Sequence, residues 1–130
     1  MYLSLPTPDT VEALSKYKII ECGAGKGTWL RILRDEGIDA IGVDPDPGEG
    51  VSIGDHRYLW CYADRTLLLI VWPPDGTDIS KWIEMWGGDT VAICGCLQRF
   101  KCPEIAVEYH EILAAGRKGN SEFILGKVVK

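Results

Sequence analysis

Two rhythms divide this chain. Short apolar runs at residues 18–22, 39–43, 67–72 and 90–96 alternate with stretches in which apolar side chains recur every three or four positions. The runs lack polar alternation and read as strands covered on both faces. The most hydrophobic of them, Leu67-Leu68-Leu69-Ile70-Val71-Trp72, has the character of a central strand and ends abruptly at Pro73-Pro74. Residues 28–36 predict a helix with Trp29, Ile32 and Leu33 inward and Gly37 as its stop. Residues 77–86 predict another, because Ile79, Trp82, Ile83 and Trp86 fall at i, i+3, i+4 and i+7 and place their side chains on one core face before Gly87-Gly88. Thr7-Pro8-Asp9 predicts a short opening helix with Pro8 at its first position and Val11 and Leu14 as its apolar stripe.

Between Pro45 and Arg65 the periodicity fails, and glycines and prolines leave only short pieces at residues 51–53 and 58–62, which predicts an irregular, reduced crossover. Beyond Pro103, the spacing of Ile105, Tyr109, Ile112 and Leu113 predicts a last helix closed by Gly116, with His110 on its surface. A weak alternation from Glu122 to Val129 predicts one or two closing strands. Strands separated by helices imply a mostly parallel α/β sheet with right-handed crossovers, in which ligands bind at the carboxyl ends of the strands. Those ends carry Glu21 to Gly27, Asp44, Trp72 to Asp75, and Gly95-Cys96.

Composition narrows this picture. A length of 130 residues suits a single domain spanning 1–130, and 46% apolar with 25% charged residues argues against disorder. A net charge of -5 opposes an extended nucleic-acid footprint, and the basic pairs Arg99 with Lys101 and Arg117 with Lys118 read as solvated faces. The apolar runs are too short to span a bilayer and the N-terminus lacks a signal-like stretch, so a cytoplasmic location without a membrane partner is expected. Cys94, Cys96, Cys102 and His110 match no common zinc spacing, and no metal is expected.

The candidate chemistry begins in Glu21-Cys22-Gly23-Ala24-Gly25-Lys26-Gly27-Thr28, which reads as strand, tight turn and helix start. Glycine costs roughly 1 kcal/mol relative to alanine in an ordered element, so three alternating glycines imply positive φ or a ligand close to the backbone. The amides of the following helix are expected to point at that ligand. A phosphate-binding P-loop fails, because one residue separates Gly23 from Gly25 and Lys26 precedes a glycine. A dinucleotide turn wants its third glycine where Thr28 stands, which weakens NAD and leaves it open.

A third ligand fits the spacing. Glu21-x-Gly23-x-Gly25-x-Gly27 after an apolar strand, with Asp44 at the end of the next strand 21 residues after Gly23, resembles the first two motifs of class I S-adenosylmethionine-dependent methyltransferases. The resemblance runs from about residue 18 to 96 and takes in Leu67 to Pro74 and the Gly88-Asp89-Thr90-Val91 turn. It implies a Rossmann-like doubly wound fold, a mostly parallel sheet with helices on both faces in three α/β/α layers, with S-adenosylmethionine as cofactor. It also implies that Gly23, Ala24, Gly25 and Gly27 approach the cofactor, that Asp44 takes the ribose hydroxyls, that Glu21 lies near the ammonium, and that Trp72 and Pro73 wall the site. The residues alone leave a second role for three of these: Asp44 as a turn cap, Glu21 as a charged strand end, Trp72 as sheet packing. The adenine-contacting acid falls on Asp55 or Asp64.

Amino-methylating relatives place Asn, Asp or Ser before Pro-Pro and an aromatic residue after it, whereas this chain has Trp72 and Asp75 in those positions. The usual grip on a target nitrogen is therefore missing. Asp75 is the candidate catalytic residue, as a proton acceptor beside the sulfonium, or else it starts a Pro-Asp-Gly turn. His56 is a further candidate within the irregular segment. The expected function is methyl transfer to an unidentified acceptor. The alternatives are a non-catalytic S-adenosylmethionine-binding module and an NAD-binding oxidoreductase-like domain.

Overall fold

The computed structural model describes residues 4–113 and 121–130. Its strands are β1 (Ile19–Cys22), β2 (Ala40–Asp44), β3 (Ser52–Ile53), β4 (Leu67–Val71), β5 (Thr90–Gly95), β6 (Ile105–Leu113) and β7 (Ser121–Val128). They form one seven-stranded sheet in the order β3-β2-β1-β4-β5-β7-β6. The first five strands pair in parallel, and β7 runs antiparallel to both β5 and β6. Three helices, α1 (Pro8–Leu14), α2 (Thr28–Asp35) and α3 (Ile79–Trp86), accompany the sheet. A 3₁₀ segment over His56–Tyr62 forms the reduced crossover between β3 and β4. No helix among the described residues is long and apolar enough to cross a membrane.

Burial on both faces explains why the strands show no polar alternation. Ile19, Leu67 and Leu69 pack in one core with Leu14 of α1 and Trp29, Leu30 and Leu33 of α2. Their neighbours Ile20, Leu68 and Ile70 pack in the other with Leu59, Ile79, Ile83 and Trp86. Each strand thus divides its apolar residues between two layers, as the period of two requires. On α2 the buried set is Trp29, Leu30 and Leu33, with Ile32 only half-buried. The opening helix forms as the sequence predicts, with Thr7 and Thr10 capping one another reciprocally and Pro8 at the first position.

Residues 103–113 depart from expectation, because the predicted helix is the edge strand β6. Ile105, Tyr109 and Leu113 satisfy a helical repeat, but a register shift between Val107 and Tyr109 leaves Ile105 on the face of Val128 and puts Tyr109 and Leu113 on the other, with Phe123 and Leu125. The bulge changes the phase of the period-two pattern and so hides it. Glu111, on that face, accepts hydrogen bonds from Thr7 Oγ1 at 2.6 Å, Thr10 Oγ1 at 2.9 Å and the Tyr109 hydroxyl at 2.6 Å. This ties the start of α1 to the sheet edge. The expected stop at Gly116 lies outside the described residues.

One glycine fixes the height of α2 above the sheet. A Cβ on Gly42 of β2 would lie 2.6 Å from Leu30 Cδ1 and 2.8 Å from the Ala24 Cβ. Gly42→Ala is therefore expected to cost about 1–3 kcal/mol by overpacking, read as a lower urea midpoint with an unchanged m-value. A midpoint equal to wild type would show that α2 can lift without cost.

The strand order reverses between β1 and β4, which run side by side with Cys22 opposite Ile70. Crossovers leave this point in opposite directions, so the carboxyl ends of β1 and β4 open into a crevice.

Candidate functional site

The turn after β1 adopts the conformation its glycines permit. Gly23, Gly25 and Gly27 have φ of 77°, 55° and 79°, a region that costs any residue with a Cβ. Its amides are used within the fold. The N–H groups of Gly23 and Ala24 donate to the Val43 carbonyl at 2.9 and 3.0 Å, that of Gly25 to Asp44 Oδ2 at 2.9 Å, and that of Gly27 to the Ala24 carbonyl at 2.9 Å. The expected ligand-facing amides are those that open α2, and the amides of these four turn residues are engaged within the fold. The turn provides close approach to the backbone while spending three of these donors on β2 and the fourth on its own Ala24 carbonyl, and so makes a poor cradle for a phosphate.

Two cavities meet across this turn. The larger, about 350 Å³, is walled by Cys22, Gly23, Asp44, Asp55, His56 and Trp82 together with the run from Val71 to Pro74. The smaller, about 130 Å³, is walled by Glu21, Gly23, Ala24, Thr28 and Trp29, with Ser4, Val71 and Trp72 closing it. Gly23, Val71 and Trp72 belong to both. Read as two arms of one bent cleft, the two cavities place Gly23 and Trp72 at the elbow.

In the larger arm Asp44 is half-buried, and its two carboxylate oxygens accept from the amides of Gly25 at 2.9 Å and Asp46 at 2.8 Å. Each oxygen keeps a lone pair for a ligand hydroxyl. Asp55 caps the 3₁₀ segment by accepting from the Arg57 amide at 2.9 Å, and the Arg57 side chain holds its carboxyl below the usual range. His56 and Trp82 stack with centroids 5.8 Å apart and planes at 8°. Among the described residues, the wall of this arm contains two carboxylates and no lysine or arginine. Burial, with Asp55, Glu21 and Asp44 nearby, pushes the Cys22 thiol up to about 12, so it lines the wall as a small neutral group.

The smaller arm holds Glu21. It is 2% exposed, and its Oε1 has no hydrogen-bond partner. Burial and then the neighbouring Asp44 raise its carboxyl from the ordinary 4.5 to about 8. A buried carboxylate without a cation is costly, and here the carboxyl keeps its proton at neutral pH instead. A cationic group entering this arm would supply the missing partner.

Trp72 sits at the elbow with φ of 48°, the one non-glycine residue at positive φ among those described. Its amide donates to the Cys94 carbonyl at 2.7 Å and its indole Nε1 to Ser4 Oγ at 2.8 Å. A left-handed tryptophan costs of order 1–3 kcal/mol and persists where its surroundings hold it.

The structure brings together Glu21, Gly23, Ala24, Asp44, Trp72 and Pro73, with Gly25 and Gly27 shaping the turn behind them. Of the two candidate adenine acids, Asp55 lines the cleft and Asp64 is an exposed residue outside its wall. Asp75 is not in the wall either, being solvent-exposed and paired with Arg99 at 3.3 Å. It lies one residue beyond Pro74, the last residue of that wall. Trp82, expected in the core, is half-buried and faces the cleft. One signal for it existed in the sequence: the first turn of the helix after β4 lies beside the carboxyl ends of the strands. Ser4 carried no such signal.

No protein-family model matches the chain, and no curated protein matches its sequence. Solved structures share its fold. TrmN from Thermus thermophilus aligns with a TM-score of 0.57 at 17% identity over 94% of this chain and 49% of its own, so the chain spans about half the length of that protein. Magnesium protoporphyrin IX methyltransferase (ChlM) from Synechocystis PCC 6803, solved with bound SAM, aligns with a TM-score of 0.58 at 10% identity, covering 93% of this chain and 79% of ChlM. The yhhF protein of Escherichia coli gives 0.56 at 10% identity, covering 95% and 87% respectively. At such identities the likeness is one of fold, and the fold is the Rossmann-like one of class I methyltransferases.

Proposed function

We propose that this protein is an S-adenosylmethionine-dependent methyltransferase acting on an acceptor still to be identified. The observation that carries the proposal is the bent cleft, with a hydroxyl-accepting carboxylate and an aromatic pair in one arm and an unpartnered buried carboxyl in the other. A nucleoside with a cationic amino-acid end matches both arms at once. Asp44 accepts from the ribose hydroxyls, Asp55, His56 and Trp82 border the base, and Glu21 faces the ammonium. The ChlM structure, which shares this fold, holds SAM.

The same features disfavour NAD. Its pyrophosphate would meet Asp44 and Asp55, with no lysine or arginine in the described wall and the glycine-turn amides already engaged.

When bound, S-adenosylmethionine supplies an electrophilic methyl group for in-line displacement, and the protein's task is to hold the partners at reacting distance and exclude water. Glycines 23, 25 and 27 shape the turn the nucleoside rests on, while Trp72 and Pro73 form the dry elbow. Asp75, outside the wall, contributes little to the chemical step. Incubating cell extract with the protein and methyl-labelled cofactor is expected to yield a labelled product. On that product Asp75→Asn should lower kcat by less than tenfold, whereas a positioned general base contributes about 10²–10⁴-fold. A loss of that larger size would return Asp75 to the chemistry. A non-catalytic binding module is the second reading, favoured by the tryptophan at position 72, and it predicts no labelled product.

A further inference from the structure

Ser4 is buried at 1% exposure, far from the glycine turn in sequence, yet it hydrogen-bonds two indoles that wall the site and one residue of β7. Its hydroxyl accepts from the Trp72 indole at 2.8 Å and shares a 2.7 Å hydrogen bond with the Ser121 hydroxyl. Its carbonyl accepts from the Trp29 indole at 2.7 Å. Both indoles wall the Glu21 arm, and Ser4 itself lines that arm. It does not line the larger one. One residue thus joins β7, the first turn of α2 and the strained end of β4 across the roof of a single arm.

We propose that Ser4 is a positioning residue that selects for ligands carrying an amino-acid end. It locks Trp72 in its left-handed conformation at the elbow and keeps the Glu21 arm closed from above. The proposal rests on the S-adenosylmethionine reading for the identity of the ligand. Two physical points support it. The strain at Trp72 needs a local restraint, and its indole donates a hydrogen bond to Ser4. The arm, at about 130 Å³, has the volume of roughly four waters at ~30 Å³ each, a size suited to an ammonium, a carboxylate and the carbon between them. Without the latch, the indole loses one restraint on the side of the Glu21 arm. Ser4 lines that arm and not the nucleoside arm, so the loss falls on the amino-acid end.

The test compares two ligands on the full chain. S-adenosylhomocysteine has the amino-acid end, and 5′-methylthioadenosine keeps the base, ribose and thioether without it. Ser4→Ala should weaken S-adenosylhomocysteine at least tenfold and leave 5′-methylthioadenosine within twofold. Ser4→Cys keeps the side chain near its size and puts a weak sulfur acceptor opposite the indole, so it should produce the same selective loss, smaller in degree, even if the alanine variant unfolds. Equal weakening of both ligands, or no change in either, would overturn the role of Ser4 while leaving the cofactor reading intact. Failure of the wild-type protein to bind either ligand would overturn both.

Discussion

Glu21→Gln is expected to match the wild-type protein in stability near pH 4.5 and to exceed it by about 3–5 kcal/mol at pH 9, within the range that a pKa raised from 4.5 to about 8 implies. The sign follows from proton counting. Below about pH 4.5 the carboxyl is protonated in both folded and unfolded chains, and its contribution is fully present. From there to about pH 8 the folded protein retains a proton that the unfolded chain has released, so stability falls as pH rises. Above that window both states are ionised and the deficit persists. Glutamine keeps the shape without titrating, so the difference between the two urea midpoints should grow across this window and then level. A constant difference from pH 5 to 9 would mean that Glu21 is not held protonated by its surroundings.

The same carboxyl should make ligand binding depend on pH. A cation in the Glu21 arm favours the ionised form, so binding near neutrality expels a proton, and affinity for S-adenosylhomocysteine should rise up to tenfold per pH unit until about pH 8. Glu21→Gln should abolish that rise and bind at least tenfold more weakly at pH 8. Under the proposed function, the alkaline cost expected of this residue is offset by its contact with the ligand's ammonium, a trade common at functional sites.

Asp44→Ala is expected to weaken S-adenosylmethionine at least tenfold, about 1.4 kcal/mol, by two routes that can be separated. The carboxylate accepts from the amides of Gly25 and Asp46, so its removal orphans two donors and loosens the glycine turn. It also removes the acceptor for the ribose hydroxyls. 2′-Deoxyadenosine analogues lack one hydroxyl and should already bind wild type weakly, and Asp44→Ala should cost them less than it costs the parent ligand. An equal penalty for both would leave Asp44 as a turn cap alone. Alanine also removes one repulsion acting on Glu21, whose carboxyl should then titrate lower.

Much of the fold was legible because burial on both faces writes a plain signal. Leu67 to Val71 could hardly be anything but a central strand, and the Thr7-Pro8 cap and the Gly87 stop mark helix ends by backbone chemistry. Strand β6 was misread because a single bulge between Val107 and Tyr109 moves the inward face by one residue and leaves spacings that a helix also satisfies. At the site, the positive φ of the three glycines was legible since it depends on local conformation. The hydrogen bonds of the turn were not, because their acceptors, Val43 and Asp44, belong to a neighbouring strand. Nor could spacing reveal that Glu21 loses its water or that His56 stacks on Trp82, since both arise from elements that meet only in three dimensions. Asp55 and Asp64 were equivalent in sequence until the 3₁₀ segment turned the first toward the cleft and left the second outside it.

The most direct test of the cofactor assignment is isothermal titration of the wild-type protein with S-adenosylmethionine, S-adenosylhomocysteine and NAD at one pH and salt concentration. Both sulfur nucleosides should bind with a Kd of about 1–10 μM, near −8 to −7 kcal/mol, with no heat from NAD. Heat with NAD and none with either sulfur nucleoside would contradict the assignment.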